Sequence, residues 1–332
     1  MRDYDVVVVG GGPAGSTCAW ALRRSGLDCV VLDRDAFPRL KLCAGWVTPQ
    51  VLADLEIEPA SYPASFLTFD RIEVHLKGLK IRLGAVQHSI RRIEFDHWLL
   101  RRSGAPFVVH EVKEIREEDG RYVLDGVYRC RFLVGAGGTR CPVHRNLFRE
   151  TRRRVDALQA VVLEEEFPYD WHDSSCRLWF FDRGLPGYSW CVPKAGGALN
   201  VGVGTVARKL HRKGDGIRVH WDHLERTLGR KALVRGHSFR PKGYTYYCLG
   251  AEGPTRRGNA FLVGDAAGLA SRDLFEGIGP AVRSGLLAAE AIAEGRDYDA
   301  DRIAPRTLGR SLAGYALERL FTGRRMPRRG GP

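Results

Sequence analysis

Apolar and polar positions follow three different rhythms along this chain. Tyr4–Gly10 is a near-continuous apolar run, the pattern of a strand buried on both faces in a parallel sheet. Gly15–Ser25 has the apolar spacing of a helix, and Asp28–Asp33 is a second buried run, so the first segment predicts a βαβ unit. From Phe66 the rhythm becomes short alternation. DRIEVHLKG and LKIRLG read as a hairpin turning at Lys77-Gly78. Phe95–Arg102 predicts a helix, and Phe107–Ile115 and Arg121–Val127 predict two strands paired with each other. Arg131–Gly135 returns to the buried type. Val155–Glu166, Cys176–Phe181, Tyr188–Val192 and Ala198–Val203 predict a second, antiparallel sheet. A last buried strand over Ala260–Gly264 and a long helix over Gly277–Glu294 follow, and there is no internal repeat.

These rhythms interleave. Nucleotide-binding α/β character occupies 1–65, 85–150 and 250–300, and sheet-forming insertions occupy 66–84 and 151–249. Residues 301–332 read as a helix and a basic tail. A simple dehydrogenase would keep its nucleotide domain contiguous.

Composition adds little to this and excludes several classes. Hydrophobic residues make up 44% of the 332, enough for a sizeable core. No apolar stretch approaches the roughly 20 residues that span a bilayer. The run Val6–Val9 is too short for a secretion signal, so a cytoplasmic protein is expected, with peripheral contact to a membrane as an alternative. The eight cysteines form no CxxC pair, and neither zinc nor a disulfide framework is expected. Histidines do not cluster, and no H-E-x-x-H, nucleophile elbow or Walker loop occurs, so no metal is expected. Net charge is +13, with arginines clustered at Arg145–Arg154 and at Arg324, Arg325, Arg328 and Arg329. That excess suits an anionic membrane, nucleic acid or an anionic cofactor, or is a solvated basic surface.

Chemistry concentrates in two glycine motifs. Gly10-Gly11-Gly12-Pro13-Ala14-Gly15 matches G-x-G-x-x-G between a predicted strand and a predicted helix. Gly10 permits the tight turn, Gly12 lets a pyrophosphate approach the backbone, and Gly15 lets helix and strand close together. The helix start supplies N–H groups to phosphates, and Asp33 ends the next strand where an acid accepts from ribose hydroxyls. Far away, Phe261–Gly268 delivers Gly264-Asp265 to the start of a helix, where a carboxylate accepts from a ribityl hydroxyl. Two distant segments converging on one long cofactor point to FAD rather than NAD.

With both motifs in view, residues 4 to about 295 resemble the geranylgeranyl reductase family, within the flavoproteins of the p-hydroxybenzoate hydroxylase fold. Pro38-Arg39-x-Lys41-x-Cys43-Ala44-Gly45 is similar to the family segment that sets a cysteine beside the flavin. Arg92-x-x-Phe95-Asp96-x-x-Leu99 is similar to a helix whose arginine contacts FAD. Tyr188–Lys194 is similar to Y-x-W-x-F-P-K, the strand that lines the substrate cavity, with Val192 in place of Phe. Gly264–Gly268, Glu276-Gly277-Ile278 and Ser284-Gly285 are similar to the flavin-binding C-terminal stretch.

The resemblance implies a Rossmann-like FAD-binding domain interleaved with an antiparallel-sheet substrate domain. It implies cofactor contacts at Gly10, Gly12, Pro13, Ala14, Gly15, Asp33, Arg34, Arg39, Lys41, Cys43, Ala44, Gly45, Arg92, Gly264, Asp265, Gly268, Gly277 and Ile278. It implies catalytic roles for Cys43, Tyr188 and Trp190. Three departures stand out. Gly137 replaces an Asp of the wider group, which weakens a hydroxylase-type NADPH site. Arg272 and Phe275 add charge and bulk to a loop expected to run along the flavin. The family also continues into further C-terminal helices, so a smaller cavity or a partner protein is expected.

The residues leave some roles open. Cys43 is a proton donor or reactive thiol, or else a small buried residue. Tyr188 and Trp190 share a strand face and wall an apolar cavity, or belong to the core. Lys194 holds a motif position at a strand end, or is an exposed lysine. Arg39 and Lys41 meet phosphates of FAD or NADPH, or are solvated. The function expected is an FAD-dependent reductase of carbon–carbon double bonds in an apolar, isoprenoid-like substrate. Its electrons would come from transient NAD(P)H or from an electron-donor protein. The alternatives are a monooxygenase or halogenase of the same fold, although CAGWVTP stands where a halogenase lysine motif would be. A flavin-binding adaptor with a basic face toward nucleic acid or membrane is a third reading. Basic residues without aromatic interleaving argue against nucleic acid.

Overall fold

The computed structural model describes residues 1–322 other than 77, 215, 299, 304–305 and 309–311. The four tail arginines therefore lie outside the described residues. Strand β1 (Arg2–Val9) is fully buried from Val6 to Val9. It leads through the glycine loop into α1 (Pro13–Arg24), where proline at the first position sacrifices no hydrogen bond. Strand β2 (Cys29–Asp33) follows, then the two-residue β3 (Trp46–Val47) and α2 (Pro49–Asp54). The hairpin β4 (Phe66–Leu76) and β5 (Leu79–Ile90) precedes α3 (Arg92–Arg102). Next come β6 (Phe107–Val109), β7 (Ile115–Glu118), β8 (Arg121–Leu124) and β9 (Tyr128–Gly135). Strands β10 (Gln159–Pro168), β11 (Cys176–Phe180), β12 (Gly187–Lys194) and β13 (Ala198–Val206) build the centre of a second sheet. Helices α4 (Ala207–Lys213) and α5 (Ile217–Arg230) follow, then β14 (Lys242–Tyr247), β15 (Arg256–Arg257) and β16 (Ala260–Leu262). The described chain ends with α6 (Ile278–Glu294) and α7 (Leu312–Thr322).

The first sheet has the order β15-β16-β9-β1-β2-β6, with the β7–β8 hairpin attached to β9. Its central pairs, β16–β9, β9–β1, β1–β2 and β2–β6, are all parallel. The second sheet has the order β14-β10-β13-β12-β11-β4-β5-β3. It is antiparallel except at β11–β4. Small residues let α1 and α6 touch: a Cβ on Gly285 would stand 2.4 Å from the Ala14 carbonyl oxygen. The second sheet is covered on both faces, and α5 lays Trp221, Leu224 and Leu228 over one of them. That double cover explains why β13 is buried at every position.

Several expectations change. Phe107–Ile115 is not one strand paired with Arg121–Val127. Residues Phe107–Val109 instead run parallel beside β2, and only Ile115–Glu118 pairs with β8. The Asp125 carboxylate causes the break: it accepts the N–H groups of Lys113 and Glu114 and a 2.7 Å bond from His110, replacing a ladder. The second-sheet hairpin does not stop at 84, because β5 runs on to Ile90 and pairs there with β3. Leu158 ends a short 3-10 turn, so β10 begins at Gln159 rather than Val155. The turn residue Lys77 lies outside the described residues. Helices α4 and α5 and strand β14 had no counterpart in the sequence reading.

Candidate active site

The glycine loop is built by close contact. Gly10 has φ +116°, and a Cβ there would stand 2.4 Å from the Ala136 carbonyl oxygen. A Cβ on Gly15 would stand 1.9 Å from the Gly10 oxygen. At Gly12 the nearest atom is Arg39 Nη2, at 3.6 Å, so this face is open. The loop is tied from below, where Asp33 Oδ2 accepts from the Gly11 N–H at 2.7 Å and Oδ1 from the Asp35 N–H at 3.1 Å. Arg34 sits at the rim and pairs with Asp35 at 3.4 Å.

Two arginines line the next stretch. Arg92 is buried and donates twice to Asp96, at 2.6 and 2.8 Å. Arg39 lies between Asp33 and Asp96, 3.9 Å from each, and is largely enclosed rather than solvated. Its buried Nε has no hydrogen-bond partner among the described residues. Lys41 is half-buried, with Nζ 3.0 Å from the centre of the Tyr244 ring. Burial pulls its ammonium down to about 8, although the Asp265 charge opposes that fall.

The cysteine segment is held by groups far away in sequence. Lys194 is not exposed. It is wholly buried and donates Nζ to the carbonyls of Ala44 and of Ile90, the latter at 2.8 Å. Desolvation pulls its pKa down, while Glu166, Cys43 and Glu164 oppose the fall. Cys43 is half-buried and accepts on Sγ from the Gly45 N–H at 3.3 Å; the other seven cysteines are buried, and none of the eight is bonded to another. The Cys43 carbonyl accepts from Asn200 Nδ2 at 3.2 Å, and Asn200 Oδ1 accepts from Trp190 Nε1 at 2.7 Å. Tryptophan, amide and cysteine segment therefore form one chain of hydrogen bonds.

Beyond Cys43 the walls are aromatic. Tyr188 stacks on Phe275 at 5.9 Å and meets Trp190 at 5.7 Å, and Phe275 meets Phe321 of α7 at 5.0 Å. The Tyr188 hydroxyl donates to the Leu274 carbonyl and the Tyr246 hydroxyl to that of Phe275, at 3.0 Å. Phe275 has φ +57° and turns its ring inward. Arg272 does not bring charge to this loop, because Nη1 reaches away to Glu318 of α7 at 2.7 Å.

One cavity of ≈ 400 Å³ joins these parts. It begins at Gly10, Gly12, Pro13, Ala14, Asp33 and Arg34 and passes Arg39, Lys41, Arg92 and Asp265. It continues by Cys43, Ala44, Gly277 and Ile278 and ends between Tyr188, Trp190 and Phe275. Gly15, Gly45, Gly264 and Gly268 do not line it. Each shapes the backbone behind the wall, as Gly45 does where a Cβ would stand 2.1 Å from the Ile90 oxygen. The sequence reading missed Glu164, Trp46, Tyr244, Tyr246 and Asn200. Asn200 alone left a readable signal, a single amide within the apolar run of β13. Among the described residues, no three His, Cys, Asp or Glu side chains are placed to hold a metal. No described helix is long and apolar enough to cross a membrane.

The residues fit FAD. The start of α1 is open at Gly12 alone, a cation with an unused buried donor faces the same space, and the cavity continues past Cys43. Residues 5–98 match the family described as FAD dependent oxidoreductase. An uncharacterised protein of Methanosarcina barkeri is 31% identical over 307 residues, covering 88% of this chain and 75% of that one. A menaquinone reductase of Mycolicibacterium smegmatis is 29% identical, covering 95% and 83%. A geranylgeranyl diphosphate reductase of Rhodobacter capsulatus is 27% identical, covering 87% and 74%. Among solved structures, a geranylgeranyl bacteriochlorophyll reductase-like protein of Thermoplasma acidophilum matches with a TM-score of 0.77 at 20% identity, over 89% of this chain and 79% of that one. A flavin-dependent brominase matches with 0.69 at 22% identity, over 90% and 81%. These structural likenesses show the p-hydroxybenzoate hydroxylase-like fold.

Proposed function

This chain belongs to the geranylgeranyl reductase family of FAD-dependent oxidoreductases, and from that premise we propose that it reduces carbon–carbon double bonds of an apolar, isoprenoid substrate. The observation that carries the reading is the single cavity, polar and glycine-lined at one end and aromatic at the other. Bound FAD supplies a hydride to the substrate. The start of α1 and Arg39 hold the pyrophosphate, and Asp33 and Asp265 accept from hydroxyls along the cofactor. Lys194 and Asn200 fix the Cys43 segment at the junction of the two ends. Tyr188, Trp190 and Phe275 exclude water and flank the alkene. The relatives named as reductases of menaquinone and of geranylgeranyl diphosphate support this substrate class.

The reductant in this reading is NAD(P)H arriving transiently or an electron-donor protein, and the rim residues Arg34, Arg140 and Arg145 suit an anionic donor. The reading places the enzyme in the cytoplasm, touching the membrane that holds its substrate. Exposed Leu79, Ile81 and Leu83 of β5 support such contact, alternating with Lys80 and Arg82. Nucleic acid is not a partner in this reading.

The test is anaerobic. Reduced enzyme mixed with geranylgeranyl diphosphate should regain oxidised-flavin absorbance while the product gains two hydrogens. Product formed only when oxygen is admitted, with hydroxyl or halide incorporated, would establish the monooxygenase or halogenase reading instead.

A further inference from the structure

Strand β10 carries Glu164-Glu165-Glu166, and the three acids have different surroundings. Glu165 bonds His237 at 3.0 Å, and Glu166 bonds Arg91 at 2.9 Å. Glu164 points inward, is 2% exposed and lines the cavity beside Val162. Its buried Oε1 has no hydrogen-bond partner among the described residues. An unsatisfied buried carboxyl oxygen is costly, and a fold that keeps one calls for an explanation.

The neighbouring strands show what the acid faces. Glu164 pairs across β10 and β13 with Gly202, which pairs in turn with Trp190 on β12. A Cβ on Gly202 would stand 2.3 Å from the Trp190 ring and 2.8 Å from the Glu164 Cβ. The bare Gly202 therefore leaves room for the indole and the acid to sit side by side in the aromatic end. The charged groups that act on Glu164 come from different elements. Lys194 comes from β12, Lys41 from the loop after β2, Arg92 from α3 and Glu166 from β10 itself, and Lys242 is the cross-strand partner on β14.

We propose that Glu164 is the acid that protonates the substrate double bond; this rests on the reductase reading above. The π bond breaks as one alkene carbon takes a hydride from reduced FAD and its neighbour takes the proton from the Glu164 carboxyl. Two C–H bonds form, the flavin is oxidised by two electrons, and Glu164 is left as a carboxylate. It regains a proton from water entering by the cavity mouth, where exposed Arg34 and Arg140 line the wall. Burial raises the Glu164 carboxyl to about 7, against the pull of Lys194 and Lys41, so the acid form is populated at neutral pH.

Glu164→Gln keeps the shape and removes the proton. In the FAD-loaded enzyme it should leave flavin content and the Kd for geranylgeranyl diphosphate unchanged. Anaerobic single-turnover reduction should slow by roughly 100- to 10,000-fold and lose its pH dependence near neutrality. Glu164→Asp should recover part of the rate. Independently of turnover, infrared titration of wild-type holoenzyme should show one buried carboxyl band ionising near neutrality that E164Q lacks. Wild-type rates and pH profile in E164Q, or no such band in the wild type, overturn the assignment. A wild-type enzyme whose flavin geranylgeranyl diphosphate does not reoxidise overturns the reductase reading, whatever the band does.

Discussion

At the scale of single residues, the glycine loop separates folding from binding. Gly10→Ala drives a Cβ into the Ala136 carbonyl at a positive φ and should lower stability and FAD content together. Gly12→Val meets only the flexible tip of Arg39, so the fold should survive while the space for the pyrophosphate is filled. Thermal melting paired with flavin absorbance checks this; equal losses in both variants would refute the separation. Lys194→Met should cost about 2–4 kcal/mol in a denaturant titration, because the buried Ile90 carbonyl and the half-buried Ala44 carbonyl lose their donor. This scale was only partly legible in sequence. The glycines are recognisable because their constraint is local. The burial of Lys194, the turn of Arg272 toward α7 and the inward turn of Glu164 are set by elements far away in the chain, and no local pattern records them.

Among elements, α7 reaches the aromatic end through Phe321. Phe321 is fully buried and stacks on Phe180 at 6.3 Å and against Phe275 at 5.0 Å. Phe321→Ala should cost about 3–5 kcal/mol of local stability. It should expose α7 to limited proteolysis while bound-flavin absorbance persists; protection equal to wild type would show that the helix docks by other contacts. The strands of the parallel sheet were legible because double burial leaves unbroken apolar runs. The pairing of Phe107–Ile115 was not, because its break depends on one carboxylate, Asp125, reaching back from the next hairpin. Helix α5 went unrecognised between polar flanks, although its buried Trp221, Leu224 and Leu228 keep helical spacing.

For the whole molecule, the buried acid links stability to pH. The folded protein holds Glu164 at about 7, above the ordinary 4.5, so the protonated form is the one the fold prefers. Its contribution is complete below about 4.5 and is lost as pH rises through about 7. E164Q should therefore gain on wild type by roughly 3 kcal/mol at alkaline pH and lose the advantage in acid, as read from urea midpoints across the range. A pH-independent difference would contradict the assignment of the titrating group. The alternation of α/β and sheet-forming segments could be read from the sequence, because each kind leaves its own rhythm. The sharing of β3 and the far end of β5 with the second sheet could not, since two paired residues carry no periodicity.

The interleaving also sets a schedule for synthesis. Strand β1 waits for β9 and β9 in turn for β16, while β4 pairs in parallel with β11 about a hundred residues later. The Asp265 wall of the cavity is translated after both central sheets. A nascent chain on the ribosome thus carries its glycine loop without a complete place to hold flavin until the Asp265 segment emerges. Cofactor capture waits until the Asp265 segment has been made, and until then the half-built sheets present unpaired edges.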